Sequence, residues 1–155
     1  MSGRIAARLK ELGIELAEPP KPVAAYVPFV ITGGLIFVSG QVSALPSGVR
    51  YTGKVGFDLT VEQGHAAARL CGLNILAQLS AALDGDLDRV TRIVKLGGFV
   101  NCPDGFTQQP QVVNGASDLM VDVFGDAGRH ARAAVGANAL PLGMAVEVDA
   151  VAAFT

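Results

Sequence analysis

The stretch from His130 to Phe154, HARAAVGANALPLGMAVEVDAVAAF, decides how the rest of the chain is read. Small and apolar residues fill it, and they mark two strands, about Ala131 to Ala137 and Met144 to Phe154, with NALPLG turning between them. Into this apolar background are set one arginine, Arg132, and two carboxylates, Glu147 and Asp149. An antiparallel hairpin around Leu140–Pro141 that puts Ala134 opposite Glu147 also puts Arg132 opposite Asp149. Glu147 then becomes the diagonal neighbour of Arg132, roughly 7–8 Å away at Cα. A slip of one residue would send the pair to opposite faces. A guanidinium in an apolar wall is costly unless a carboxylate meets it. Two readings stay open: Arg132 makes a standing ion pair with Glu147 or Asp149, or it keeps its fork free for a ligand carboxylate. In the second, Glu147 is a base that positions a water for attack on the ligand.

Upstream, an N-terminal helix is predicted from Ile5, Leu9 and Leu12 on one stripe, with Ser2 as a cap, and residues 18–22 (EPPKP) form a stiff linker. AAYVPFVIT and LIFVSGQV are strand patterns turned at Gly33-Gly34. Thr60 and Gln63 fit a capping box that opens a helix running to about Leu83, with Ala66, Leu70, Leu73, Ala77 and Ser80 on one stripe. RVTRIVKLGGFVN is a strand with two apolar faces, and a second helix spans about Pro110 to Phe124 before Gly125. The order ββ–α–β–α–ββ predicts one α+β domain over residues 1–155, with two helices on one face of a mixed sheet.

Half of the 155 residues are hydrophobic and 17% are charged, below the ~25% usual in soluble domains. The mean hydropathy is +0.42. A lone domain of this size cannot hide so much apolar surface, so the second face of the sheet is expected to be covered by other subunits. A net charge of −2 with no basic stripe argues against nucleic acid as a partner. The uncharged run from Val23 to Val49 is broken by Pro28, Gly33-Gly34 and Pro46, which reads as a hairpin and not as a membrane span. Cys71 and Cys102 form no metal or disulfide pattern, and the two histidines, His65 and His130, are far apart, so no metal site is expected. The reduced cysteines and the absence of a secretory h-region point to the cytoplasm. Asn114 and Ser117, three apart on the second helix, read as surface polar positions.

YVPFV, FVSGQV, the helix, an arginine opening a strand, LP and VEVDAVA occur here in an order and spacing that resembles the RidA (YjgF) family, many of whose members carry the label endoribonuclease L-PSP. The similarity runs from about Tyr26 to Phe154, and the N-terminal helix looks like that of a longer branch. The resemblance implies a chorismate-mutase-like fold and a homotrimer whose sheets line a central barrel, with ligand clefts between subunits. It implies hydrolysis of reactive enamines and imines, such as 2-aminoacrylate, to 2-keto acids and ammonia, with no cofactor held. Carried onto this sequence, Arg132 clamps the substrate carboxylate, and Glu147 orients and deprotonates a water. Backbone groups near Ala134 and Gly40 hold the amino group and the water, and Tyr26 closes the pocket from a neighbouring subunit. His130, on the same strand face as Arg132, is placed to tune the site. One departure stands out: the family's cysteine two residues after the arginine is Ala134 here, which removes any thiol role. Competing functions are a non-catalytic binding protein for a small carboxylate, a ribonuclease, and a chorismate mutase. The last would want more cationic groups in the cleft than Arg132 alone.

Overall fold

The computed structural model describes residues 3–22 and 24–155. Helix α1 is Arg4–Glu11, strands β1 and β2 are Phe29–Thr32 and Leu35–Val42, and helix α2 is Val61–Ala82. Then come β3 (Val90–Asn101), α3 (Gln109–Phe124), β4 (Ala131–Ala137) and β5 (Val146–Phe154). The five strands form one sheet in the order β1-β2-β5-β3-β4. Helices α2 and α3 pack on one face, as the element order predicts.

Local chemistry sets most of these boundaries. Gly33 and Gly34, at φ 57° and 77°, make the tight β1–β2 turn that side-chain-bearing residues would resist. The capping box is present in full: Thr60 N–H donates to Gln63 Oε1 at 2.8 Å, and Gln63 N–H to Thr60 Oγ1 at 3.1 Å. Such a cap contributes about 1 kcal/mol. Helix α1 is capped from a distance, since the N–H groups of Arg4 and Ile5 donate to the carboxylate of Asp88, at 2.8 and 2.7 Å. Those two bonds hold the Asp88 carboxyl below its ordinary value. Ser2, the expected cap, lies outside the described residues.

Two expectations need correction. The α2 stripe is too narrow: its Leu70 and Ala77 are buried and Ala66, Leu73 and Ser80 partly exposed, but Ala68, Cys71, Ile75 and Leu79, off the stripe, are fully buried as well. The sheet covers one side of α2 and α3 another, so apolar residues run around most of the helix and no single stripe stands out. Gly72 lets Leu119 and Ala116 of α3 come close.

The second correction is the C-terminal hairpin, which does not form. Strand β4 pairs parallel with β3, with Leu96 opposite Arg132 and Gly98 opposite Ala134. A parallel pair needs a crossover, and α3 supplies it. Strand β5 runs back between β2 and β3, antiparallel to both. Arg132 and Glu147 are therefore two strands apart and on opposite faces. Arg132 shares a row with Leu96, Ala150 and Val38, all buried under the helices apart from the arginine itself. Glu147 shares a row with Val42, Phe99 and Val135 on the open face. That face carries Val30, Phe37, Phe99 and Val135, each 38–50% exposed, with no element of the described chain over it.

Candidate active site

The first group of predicted residues meets at the β2 bulge between Val38 and Gln41. Ser39 Oγ donates to Val27 O at 2.7 Å, and Ser39 N–H to Pro28 O at 2.9 Å, which anchors the loop carrying Tyr26. Gln41 is buried and folds its amide back onto Ser39 O at 2.9 Å. Gly40 leaves room for Glu147, because a Cβ there would run into the carboxylate oxygen Oε1. Beside it lies a cavity of about 450 Å³, lined by Tyr26, Gly40, Glu147 and Leu142 together with Pro20, Pro22, Pro28 and Pro46. Tyr26 is half-exposed at the rim. The turn after Leu140 supplies another wall, where Leu142 takes a left-handed φ of 59° and is 83% exposed.

Burial first, and the charge of Asp149 second, raise the carboxyl of Glu147 above its ordinary value. Asp149 lies on the same open face, over Gly97, where a Cβ would meet its carboxylate. A carboxyl raised in this way titrates closer to neutrality, as a general base should. Behind it, Cys71 is fully buried, with Sγ 3.4 Å from Val146 O. Burial, then the charge of Glu147, push that thiol far up, so it carries no thiolate chemistry.

The second group lies across the sheet, where β4 meets α3. Arg132 Nη1 donates to Asn114 Oδ1 at 2.8 Å and to Ser117 Oγ at 3.1 Å, while Nη2 reaches Pro110 O at 3.5 Å. All three acceptors are neutral, and no carboxylate pairs with Arg132 among the described residues. The standing ion pair with Glu147 or Asp149 is thus absent within the chain. His130 Nε2 is 2.8 Å from Ser117 Oγ, and its Nδ1 is 2.7 Å from Gly128 O. Burial, and then the charge of Arg132, depress the His130 pKa, against an opposing pull from the Gly128 bond. Ala134 sits on the same helix-facing side as Arg132 and packs against the core. One chain thus brings Tyr26, Gly40 and Glu147 together, and separately Arg132, His130 and Ala134.

Sequence reasoning placed Asn114 and Ser117 on the surface, whereas they hold Arg132. Their i, i+3 spacing and the i, i+2 spacing of His130 and Arg132 were visible, but not that α3 lies against β4. Asn74 and Gln78 were missed altogether. Both are buried on α2, where Asn74 Nδ2 donates to Ala44 O at 2.7 Å and Gln78 Nε2 to Pro20 O at 2.8 Å, pinning two walls of the cavity. Among the described residues no group of three His, Cys, Asp or Glu could hold a metal, and no helix is long and apolar enough to cross a membrane.

Protein TCP17 of Trypanosoma cruzi is 53% identical over 150 residues, covering 96% of this chain and 93% of that protein. The crystal structure of Atu1372, a protein of unknown function from Agrobacterium tumefaciens, is 48% identical, with a TM-score of 0.90 over 97% of this chain and 92% of that one. A more distant structure, Escherichia coli TdcF with bound serine, shares the fold at 20% identity and a TM-score of 0.63, over 89% of this chain and 94% of that one. The family model described as "YjgF/chorismate mutase-like, putative endoribonuclease" matches residues 6–153. With nearly the whole chain matched in sequence and in fold, the protein belongs to the YjgF/chorismate mutase-like family.

Proposed function

We propose that this protein hydrolyses small, reactive 2-imino acids to 2-keto acids and ammonia, at clefts where Arg132 of one protomer faces the Glu147 cavity of another in a homotrimer. The observation that carries the proposal is the state of Arg132: a partly buried guanidinium, held by neutral groups, with no carboxylate of its own. Such a group has its charge to offer to an anionic ligand. The two halves of the site face away from each other within one chain, and the apolar open face calls for a partner; assembly answers both. The serine in TdcF, an amino acid with a carboxylate, agrees with the class of ligand.

In the reaction, Arg132 receives the substrate carboxylate. Glu147 takes a proton from water, and the oxygen attacks the imine carbon. The amine then leaves as ammonia with protons drawn from Glu147 and solvent, and the C=O of the keto acid forms. An imine is already electrophilic, so positioning and charge suffice, and the chemistry asks nothing of a thiol at position 134. A binding protein for small carboxylates is the alternative reading. The test is keto-acid release from 2-aminoacrylate generated in situ. Arg132→Ala should raise KM at least about tenfold, and Glu147→Gln should lower kcat about 100-fold with ligand binding retained. Wild-type turnover by Arg132→Ala would refute the proposed site, and no turnover by any form, with keto acid still bound, would favour the binding protein.

A further inference from the structure

A guanidinium has five N–H groups. In Arg132, Asn114 and Ser117 take the pair on Nη1, and Pro110 O takes a long bond from Nη2. The N–H of Nε has no acceptor among the described residues, and it lies on the same edge as one N–H of Nη2. That edge is the side-on fork that accepts a carboxylate with two parallel bonds.

The hydrogens in the chain behind Nη1 can be assigned. Gly128 O is only an acceptor, so His130 Nδ1, 2.7 Å away, carries the proton. In the neutral ring Nε2 is then an acceptor, and Ser117 must give its hydroxyl hydrogen to it. The lone pairs of Ser117 Oγ are thereby left for Arg132 Nη1. The geometry points to Ser117 and neutral His130 as positioning residues that aim the free edge of Arg132 at the ligand carboxylate, and to loss of that aim when His130 is protonated. This rests on the reading that Arg132 receives a carboxylate.

Protonated Nε2 would turn into a donor aimed at Oγ, and the ring would carry a second positive charge beside the guanidinium. Among the described residues no carboxylate forms an ion pair with His130. On α3, Asp118 faces His65 of α2 at 3.6 Å. In the turn before β4, Asp126 faces Arg129 at 3.3 Å, and Arg92 of β3 spends its Nη1 on the carbonyls of Asp126 and Arg129. Lys95 pairs with Ala131 in the β3–β4 ladder, on the open face. Burial disfavours the imidazolium, and so does the charge of Arg132 beside it.

The experiment measures binding of 2-ketobutyrate and turnover of 2-aminoacrylate by the full chain, between pH 5 and 8, in variants of wild-type mass and thermal midpoint. Ser117→Ala and His130→Ala should each weaken 2-ketobutyrate about 5–10-fold, the effect of one hydrogen bond, and raise KM more than they lower kcat. Ser117→Thr keeps a hydroxyl, and His130→Gln keeps an acceptor for it, so both should recover most of that loss. Wild-type affinity should fall as the pH drops through the lowered His130 value, below 6.5, while that of His130→Gln stays level. If Arg132→Ala loses the ligand while Ser117→Ala and His130→Ala keep it, or if the conservative variants recover nothing, the positioning role is wrong. If Arg132→Ala itself binds 2-ketobutyrate as wild type does, the carboxylate reading falls first.

Discussion

A methyl group at position 40 would collide with the Glu147 carboxylate, because the β2 bulge lets strand backbone and side chain touch there. Gly40→Ala should therefore push Glu147 off its place while leaving the helices intact. Turnover is expected to fall about tenfold or more with an unchanged far-ultraviolet spectrum; wild-type turnover would show that the carboxylate need not rest on Gly40. The acid limb of kcat belongs to Glu147 in this scheme. Since burial and Asp149 raise its carboxyl, that limb should lie above the ordinary 4.5, with activity lost as the pH falls through it. At this scale the residue pattern singles out Arg132 and Glu147, because charges are out of place in apolar strands, whereas Gly40 and Tyr26 enter only through the family resemblance. Asn114 and Ser117 read as surface positions instead, since they look like solvent-facing helix residues until β4 is laid against them.

At the scale of elements, the signals that could be read were local ones. The Thr60–Gln63 box and the Gly33-Gly34 turn fix their elements through neighbours a few residues away. The cap of α1 could not be read, since Asp88 lies more than eighty positions from the N–H groups it accepts. Asp88→Ala should release α1 from its cap. Amide exchange in residues 4–11 is expected to quicken about tenfold, with little change in the rest of the chain. Acidification should act like the mutation. The folded Asp88 pKa lies below 3.8, so its contribution is present in full above that value and is lost as the pH falls through the lowered one. The carboxylate is exposed, so the effect on global stability should be small, and a large drop in the global midpoint would mean that α1 is part of the cooperative core.

At the scale of the whole molecule, strand order is where local reading fails. A hairpin and a crossover give the same strand patterns in the sequence, and only the length of α3 between β3 and β4 favours a parallel pair. The slot left between β2 and β3 then takes β5, which carries Glu147 to the far face from Arg132. The excess of apolar residues did foretell the bare sheet face, because counting them needs no register. The most direct test of a site shared between protomers is subunit complementation. Arg132→Ala and Glu147→Gln, each keeping about a tenth of wild-type activity or less when assayed well below the wild-type KM, are unfolded together, refolded as a mixture and assayed under that condition, with the mass checked to be three times 15.9 kDa. Random mixing restores an intact Arg132 facing an intact Glu147 at about a quarter of the interfaces of a cyclic trimer, so about a quarter of wild-type activity should return. If the mixed assemblies form with the trimer mass and do no better than the average of their parents, the two residues do not meet across subunits, and the shared site is contradicted.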